Sequence, residues 1–206
     1  SNTAANGTSS GNSTSFIHSA SATGTYFLRI EDYNDDGVGN YTIAINSSDT
    51  IVNNTTTAVT LAPGGAMSSA VNVFADIDFV RTSATAGLAL GYTVTATGTL
   101  NPYLRLLNAS GSTVAYGATS SGTSASFSHT ASATGTYFLR LEDYNDNGVG
   151  NYTIAINNKD TISSLFSTTT SLAAGRSMTS ALDVVGDVDM IKTTLTAGLT
   201  YGVVLN

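Results

Sequence analysis

The chain repeats itself with a period of 111 residues, and whatever it folds into must close within that period. Ser15–Asn46 reads SFIHSASATGTYFLRIEDYNDDGVGNYTIAIN, and Ser126–Asn157 reads SFSHTASATGTYFLRLEDYNDNGVGNYTIAIN, identical at 28 of 32 positions. The same offset aligns Thr57–Val94 with Thr168–Leu205 at 16 of 38 positions. One complete unit therefore covers residues 54–166. Residues 1–53 read as the C-terminal half of a preceding unit, and residues 167–206 as the N-terminal half of a following one.

Each unit reads as β-structure throughout. Tyr137, Leu139 and Leu141 alternate with Phe138 and Arg140, and Tyr152, Ile154 and Ile156 alternate with Thr153 and Ala155. A period of two gives a strand one buried and one wetter face. The same phase runs through Tyr26–Ile30 and Tyr41–Ile45. In both copies a short acidic loop separates the two runs, which predicts an antiparallel hairpin. It also predicts that Tyr26, Tyr41 and their equivalents face the core. Further strands are expected at Ile77–Arg81, Leu90–Thr97, Tyr103–Leu107, Thr113–Tyr116 and Ser126–His129. Turns of Gly, Ser and Asn recur at the spacing of a sandwich or barrel. Composition agrees: Thr, Val, Ile, Tyr and Phe suit a pleated surface, and 59 of 206 residues are Ser or Thr.

Composition also removes functions. Without cysteine there is no disulfide framework, thiolate metal site or thiol nucleophile. Seven scattered basic residues against fourteen acidic ones give a net charge of −7 and no footprint for nucleic acid. No apolar run approaches the ~20 residues of a membrane helix, so no membrane insertion is expected. No segment has the form of a signal peptide. His18 and His129 share one repeat position, but no nucleophile elbow or zinc-binding helix accompanies them, and an enzyme is not expected.

The acidic residues carry the remaining chemistry. Asp32-Tyr33-Asn34-Asp35-Asp36-Gly37 and Asp143-Tyr144-Asn145-Asp146-Asn147-Gly148 both fit D-x-[DN]-x-[DN]-G. Oxygen ligands on alternate residues of a tight turn converge, glycine supplies a positive φ, and hard oxygen donors favour Ca²⁺. The expected ligands are Asp32, Asn34 and Asp36, and Asp143, Asn145 and Asn147. The twelfth position is Ile43 or Ile154 where a calcium loop of the helical kind has a bidentate carboxylate, so Glu31 or a D-x-D pair would have to close the shell. The alternative is a plain turn in which Asp and Asn bond their own backbone. The D-x-D pairs are Asp76/Asp78 and Asp187/Asp189. Tyr33, Tyr144, Tyr103 and Tyr116 are the candidate surface aromatics.

The ordered set Asp76-Ile77-Asp78-Phe79, Thr85-Ala86-Gly87-Leu88, Gly91-Tyr92-Thr93-Val94, Asn101–Leu106, Asn108-Ala109-Ser110-Gly111, Thr134–Leu139 and Gly150–Ile154 resembles the bacterial pre-peptidase C-terminal domain family. The resemblance spans the complete unit and half of each flanking one. It implies tandem, jelly-roll-like antiparallel β-sandwich repeats in a secreted bacterial protein. Some members of that family bind calcium, and others bind collagen or polysaccharide.

These readings predict a non-catalytic extracellular repeat protein of the bacterial cell surface, a stalk, fibre or layer segment with calcium in its acidic loops. A half-sandwich exposes an unpaired edge and half a core, so each half-unit needs completion. The halves either pair within one chain or are completed by neighbouring copies, which, joined head to tail, would form a homopolymer. The alternative is a targeting module for a glycan or collagen-like polymer.

Overall fold

The computed structural model describes residue 7, residues 14, 16, 18 and 20, and residues 22–45, 49–56 and 58–205. Nine strands form among them, and no helix. In chain order they are β1 (Val59–Thr60), β2 (Ala66–Val71), β3 (Ile77–Ala84), β4 (Ala89–Ala96), β5 (Pro102–Leu107), β6 (Thr113–Ala118), β7 (Ser124–Thr130), β8 (Gly135–Asp143) and β9 (Gly150–Asn157). One sheet has the order β1-β3-β8-β5-β6, the other β2-β9-β4-β7. All pairings are antiparallel except β1 with β3. From β2 onward successive strands cross between the sheets, except at β5 to β6. The result is an all-β sandwich, as the alternation predicts.

The core lies between the sheets. Val80, Leu104, Leu106, Leu139 and Leu141 of the five-stranded sheet face Tyr92, Val94, Tyr152, Ile154 and Ile156 of the four-stranded one. Each comes from the inward phase of an alternating strand. Tyr92 stacks on Phe127 across the β4–β7 pair, centroids 4.9 Å apart.

Three expectations are corrected. First, β8 and β9 are not a hairpin. β8 pairs with β3 and β5, while β9 pairs with β2 and β4 in the opposite sheet. Both strands carry a full apolar face; placed side by side they would need a further layer, whereas placed in opposite sheets they cover each other. The acidic loop is therefore a corner between sheets. Secondly, Tyr26–Ile30 and Tyr41–Ile45 form no strands, although nearly the same sequence forms β8 and β9. Tyr41 is 69% exposed where Tyr152 is 2% exposed, and Phe27 is 92% exposed. A strand gains its hydrogen bonds and its buried face from neighbours far along the chain, and among the described residues this copy pairs with none. Thirdly, residues 167–205 hold a single isolated bridge, Ser171 with Lys192, rather than the strands of their equivalents in β1–β4.

Close approach at Gly150 tests the difference between the copies. A Cβ there would lie 1.8 Å from the Thr97 carbonyl oxygen, whereas its equivalent Gly39 has nothing within 4 Å. Gly150→Ala is expected to cost ~1–3 kcal/mol, and Gly39→Ala less than about 0.5 kcal/mol, in urea unfolding. Equal costs would show that the first copy packs as the second does.

Candidate functional site

Two kinds of acidic constellation occur. The first is the acidic loop of each copy, which in the second copy turns the corner between the sheets. The Asp32 Oδ2 accepts hydrogen bonds from the amides of Asn34, Asp36 and Gly37 at 3.1–3.2 Å. Asp143 accepts from Asn101 through Oδ1, at 2.7 Å, and from Asn145 and Asn147 through Oδ2, at 3.0 Å. These are the bonds of the plain Asx turn. The amides of Asp36, Gly37 and Asn34 hold the Asp32 carboxyl below the ordinary carboxylate value. Burial raises that of Asp143, but the amides of Asn101, Asn147, Asn145 and Gly148 outweigh it and lower its pKa overall.

The left-handed residue of the turn is Asp35 (φ 61°) or Asp146 (φ 59°), not the glycine that the motif suggests. Asp tolerates that region because its short side chain can bond locally. The glycine serves close approach instead: a Cβ on Gly148 would lie 2.4 Å from Asp143 Oδ1 and from the Thr99 carbonyl oxygen. The turn has the same form in both copies, so it is specified locally. Side-chain atoms of Asn34, Asn145 and Asn147 are not drawn into the bonds described, which leaves them as candidate ligands on the rim, whereas the Asp36 side chain also bonds Asp32.

The second constellation is a pair of aspartate triads. One ligand oxygen each from Asp49, Asp76 and Asp78 lie within 4.8 Å of one another, and so do those of Asp160, Asp187 and Asp189. Every member of the second triad lies 111 residues beyond its equivalent in the first. The scaffolds match as well. The linker aspartate accepts from the amide two residues on, Ile51 to Asp49 and Ile162 to Asp160, both at 3.0 Å. Asn72 N–H donates to Asp76 Oδ2 and Asp183 N–H to Asp187 Oδ2, both at 3.1 Å. The Ala89 amide further holds Asp160 Oδ2.

Asp78 is fully buried on β3. Its Oδ2 accepts from the Tyr152 hydroxyl at 2.6 Å, while its Oδ1 is buried with no hydrogen-bond partner. Burial chiefly, then Asp76 and Asp49, push its pKa up to about 7 against the Tyr152 hydrogen bond. Burial also raises Asp76, with the Asn72 amide opposing and Asp49 adding. Asp189 is raised by burial and by Asp187 and Asp160, and its Oδ1 likewise has no hydrogen-bond partner. Among the described residues, no ion pair reaches either triad. The D-x-D pairs thus gather with a linker aspartate, which the motif search passed over. The offset alignment of Asp49-Thr50-Ile51 with Asp160-Thr161-Ile162 carries the signal.

A third surface is aromatic. Tyr103 of β5 lies 5.8 Å from Tyr116 of β6 and 5.9 Å from Tyr144 of the corner loop, centroid to centroid. The Arg105 guanidinium sits 4.7 Å from the Tyr103 ring centroid and pairs with Glu142, which also pairs with Arg140. Tyr33 and Tyr144 are exposed, as expected of loop aromatics. His129 lies half-buried on β7, its ring 6.1 Å from that of Tyr137, and burial lowers its pKa.

No family model matches the sequence, and no curated protein does. Among solved structures, the pre-peptidase C-terminal domain of a collagenase from Bacillus anthracis aligns with a TM-score of 0.44 at 19% identity, covering 51% of this chain and 99% of that one. PliG of Aeromonas hydrophila, a periplasmic inhibitor of g-type lysozyme, aligns with a TM-score of 0.32 at 10% identity, covering 48% and 97%. The fold assignment rests on the strand pairing described above.

Proposed function

We propose that this chain is part of a non-catalytic extracellular array of β-sandwich repeats, a stalk, fibre or layer segment at a bacterial surface. The observation that supports this reading is the recurrence of one aspartate triad at the repeat offset, each combining a linker residue with the D-x-D pair of the following unit. Such a feature serves units placed end to end. Hard-cation sites of extracellular modules work at the millimolar calcium found outside cells, in keeping with a secreted location.

Assembly by neighbouring copies is part of the proposal. Tyr26, Leu28, Ile30, Tyr41, Ile43 and Ile45 are exposed, whereas their equivalents are buried in β8 and β9. Leu182, Leu199 and Val203 are exposed on a segment equivalent to β2–β4. Brought together from two chains, these segments carry the strand sequences of most of a sandwich, so each would cover the other's apolar face.

Sedimentation velocity over a range of concentrations tests this. Growth into long species with rising concentration is the expected result, in calcium and in EDTA alike if apolar completion drives it. A monomer at every concentration would overturn assembly. It would favour a second reading, a targeting module for a glycan or collagen-like polymer, which the cluster of exposed Tyr116 and Tyr144 about half-buried Tyr103 supports.

A further inference from the structure

We propose that consecutive units lock together through a knob and a notch. The knob is the valine at the corner between the β2 and β3 positions of one unit. The notch is a bare glycine on the outer face of the four-stranded sheet of the unit before it. In this chain they are Val184 and Gly91. The joint deepens the array reading, and its extension to further units rests on that reading.

The notch is a glycine without a conformational reason. Gly91 lies inside β4 and is not left-handed. A glycine within a strand weakens it, and such a residue marks a place where another segment comes close. Gly91 stands opposite Ser128 of β7 and Asn157 of β9, in the outward phase between buried Leu90 and Tyr92. A Cβ there would lie 3.4 Å from Val184 Cγ1 and 3.4 Å from Asn157 Cβ. An alanine would just touch the valine, and a longer side chain would displace it. Beside this contact the Ser128 hydroxyl donates to the Val185 carbonyl. The linker adds two backbone bonds. Ser164 N–H donates to the Gly87 carbonyl at 2.8 Å, and Met190 N–H to the Ser163 carbonyl at 3.1 Å. The following unit is thus held on the sheet and on the linker.

Knob and notch both recur. Val73 is the repeat equivalent of Val184, and Gly202 that of Gly91, in a part of the repeat that keeps only 16 of 38 positions. The corner has one form in both copies. Asp76 N–H donates to the Val73 carbonyl at 3.3 Å and Asp187 N–H to the Val184 carbonyl at 3.0 Å. The residue before each aspartate is left-handed, Ala75 (φ 57°) or Gly186 (φ 81°). A Cβ on Gly202 would meet nothing within 4 Å, so that notch is open to the valine of a further unit. Knob and notch are different surfaces, so the contact propagates head to tail rather than closing. Tandem domains move on their linkers unless an interface holds them. A seated valine at each joint sets one angle between neighbours.

The full chain has no cysteine, so Gly91→Cys with Val184→Cys reports the joint directly. Disulfides join Cβ atoms about 3.5–4.5 Å apart, a separation this contact allows. At protein concentrations too low for assembly, mild oxidation should link the pair within the monomer. The link should form about tenfold faster than in Thr93→Cys with Val184→Cys, one outward position along the strand. Trypsin gives a second measurement without cysteines. Gly91→Leu fills the notch and should speed cleavage after exposed Arg176 and Lys192 about fivefold or more, with the dichroism of the sandwich unchanged. Gly91→Ala and Thr93→Leu should leave cleavage as it is. Equal linking of the two cysteine pairs, or links between chains only, would overturn the joint. So would unchanged cleavage in Gly91→Leu. The array reading fails separately: monomers at every concentration with a fast Gly91–Val184 link would overturn assembly and keep the joint. Long species without that link would overturn the joint and keep assembly.

Discussion

At protein concentrations too low for assembly, Leu139→Ala is expected to destabilise the sandwich by about 2–5 kcal/mol, and Leu28→Ala by less than about 0.5 kcal/mol. The two leucines are repeat equivalents inside one identical stretch, Tyr-Phe-Leu-Arg. Leu139 has no exposed surface and sits on β8, flanked by Val80 of β3 and Leu106 of β5. Its truncation removes transfer energy and leaves a cavity that the flanking strands cannot close. Leu28 is 49% exposed and belongs to no strand. Urea unfolding with far-ultraviolet dichroism gives both values. Comparable losses at the two sites would mean that the first copy is folded in solution, in a sandwich completed by another chain. Repeating the pair of measurements at low and high protein concentration therefore reads assembly as well as packing.

Asp78→Asn should stabilise the protein in chelator at neutral pH. The sign follows from proton linkage. The Asp78 carboxyl is pushed from 3.8 to about 7 in the folded state. Between those values the folded chain holds a proton that the unfolded chain has released, so stability falls as pH rises through the window. At 1.36 kcal/mol per pH unit the ceiling is ~4 kcal/mol. Asparagine keeps an acceptor for the Tyr152 hydroxyl and carries no charge, so the variant should lose little stability across the same window. Asp143, with a lowered pKa, acts in the opposite sense: its contribution is present above the ordinary carboxylate value and lost as pH falls through the lowered one. The two effects occupy different pH ranges and separate in one series of melts in EDTA. Parallel curves for the wild type and Asp78→Asn would refute the assignment.

Strands with a strong period were legible in the sequence. β3–β9 all overlap alternating runs, since each has one face toward the core. β2, Ala66-Met67-Ser68-Ser69-Ala70-Val71, was not, because its small residues carry no alternation and its strand state comes from pairing with β9. Nor was the separation of β8 from β9. Chain proximity and a turn motif suggest a hairpin, and only the second apolar face decides otherwise. The first copy shows the limit most clearly. Its turn at Asp32 forms from local amides, but its flanking runs lack the long-range partners that make the same letters a strand. The triads escaped motif reading for a related reason: Asp49 is far from Asp76 along the chain, and the fold alone brings them together.

The pairing of β2 with β9 has a mechanical consequence. The chain comes into the four-stranded sheet at Ala66 and leaves it after Asn157, and Ala66 lies opposite Ala155. Pulling the two ends apart would load this pair from one end, so its hydrogen bonds break in sequence rather than together. Ahead of it stand the two-residue parallel latch of β1 on β3, at Val59–Val80 and Thr60–Arg81, and a few single bonds such as those of Leu61 to Arg81 and of Ala89 to Asp160. A tethered unit built this way yields at low force and lengthens by peeling, so an array of them would act as an extensible spring rather than a rigid rod under tension.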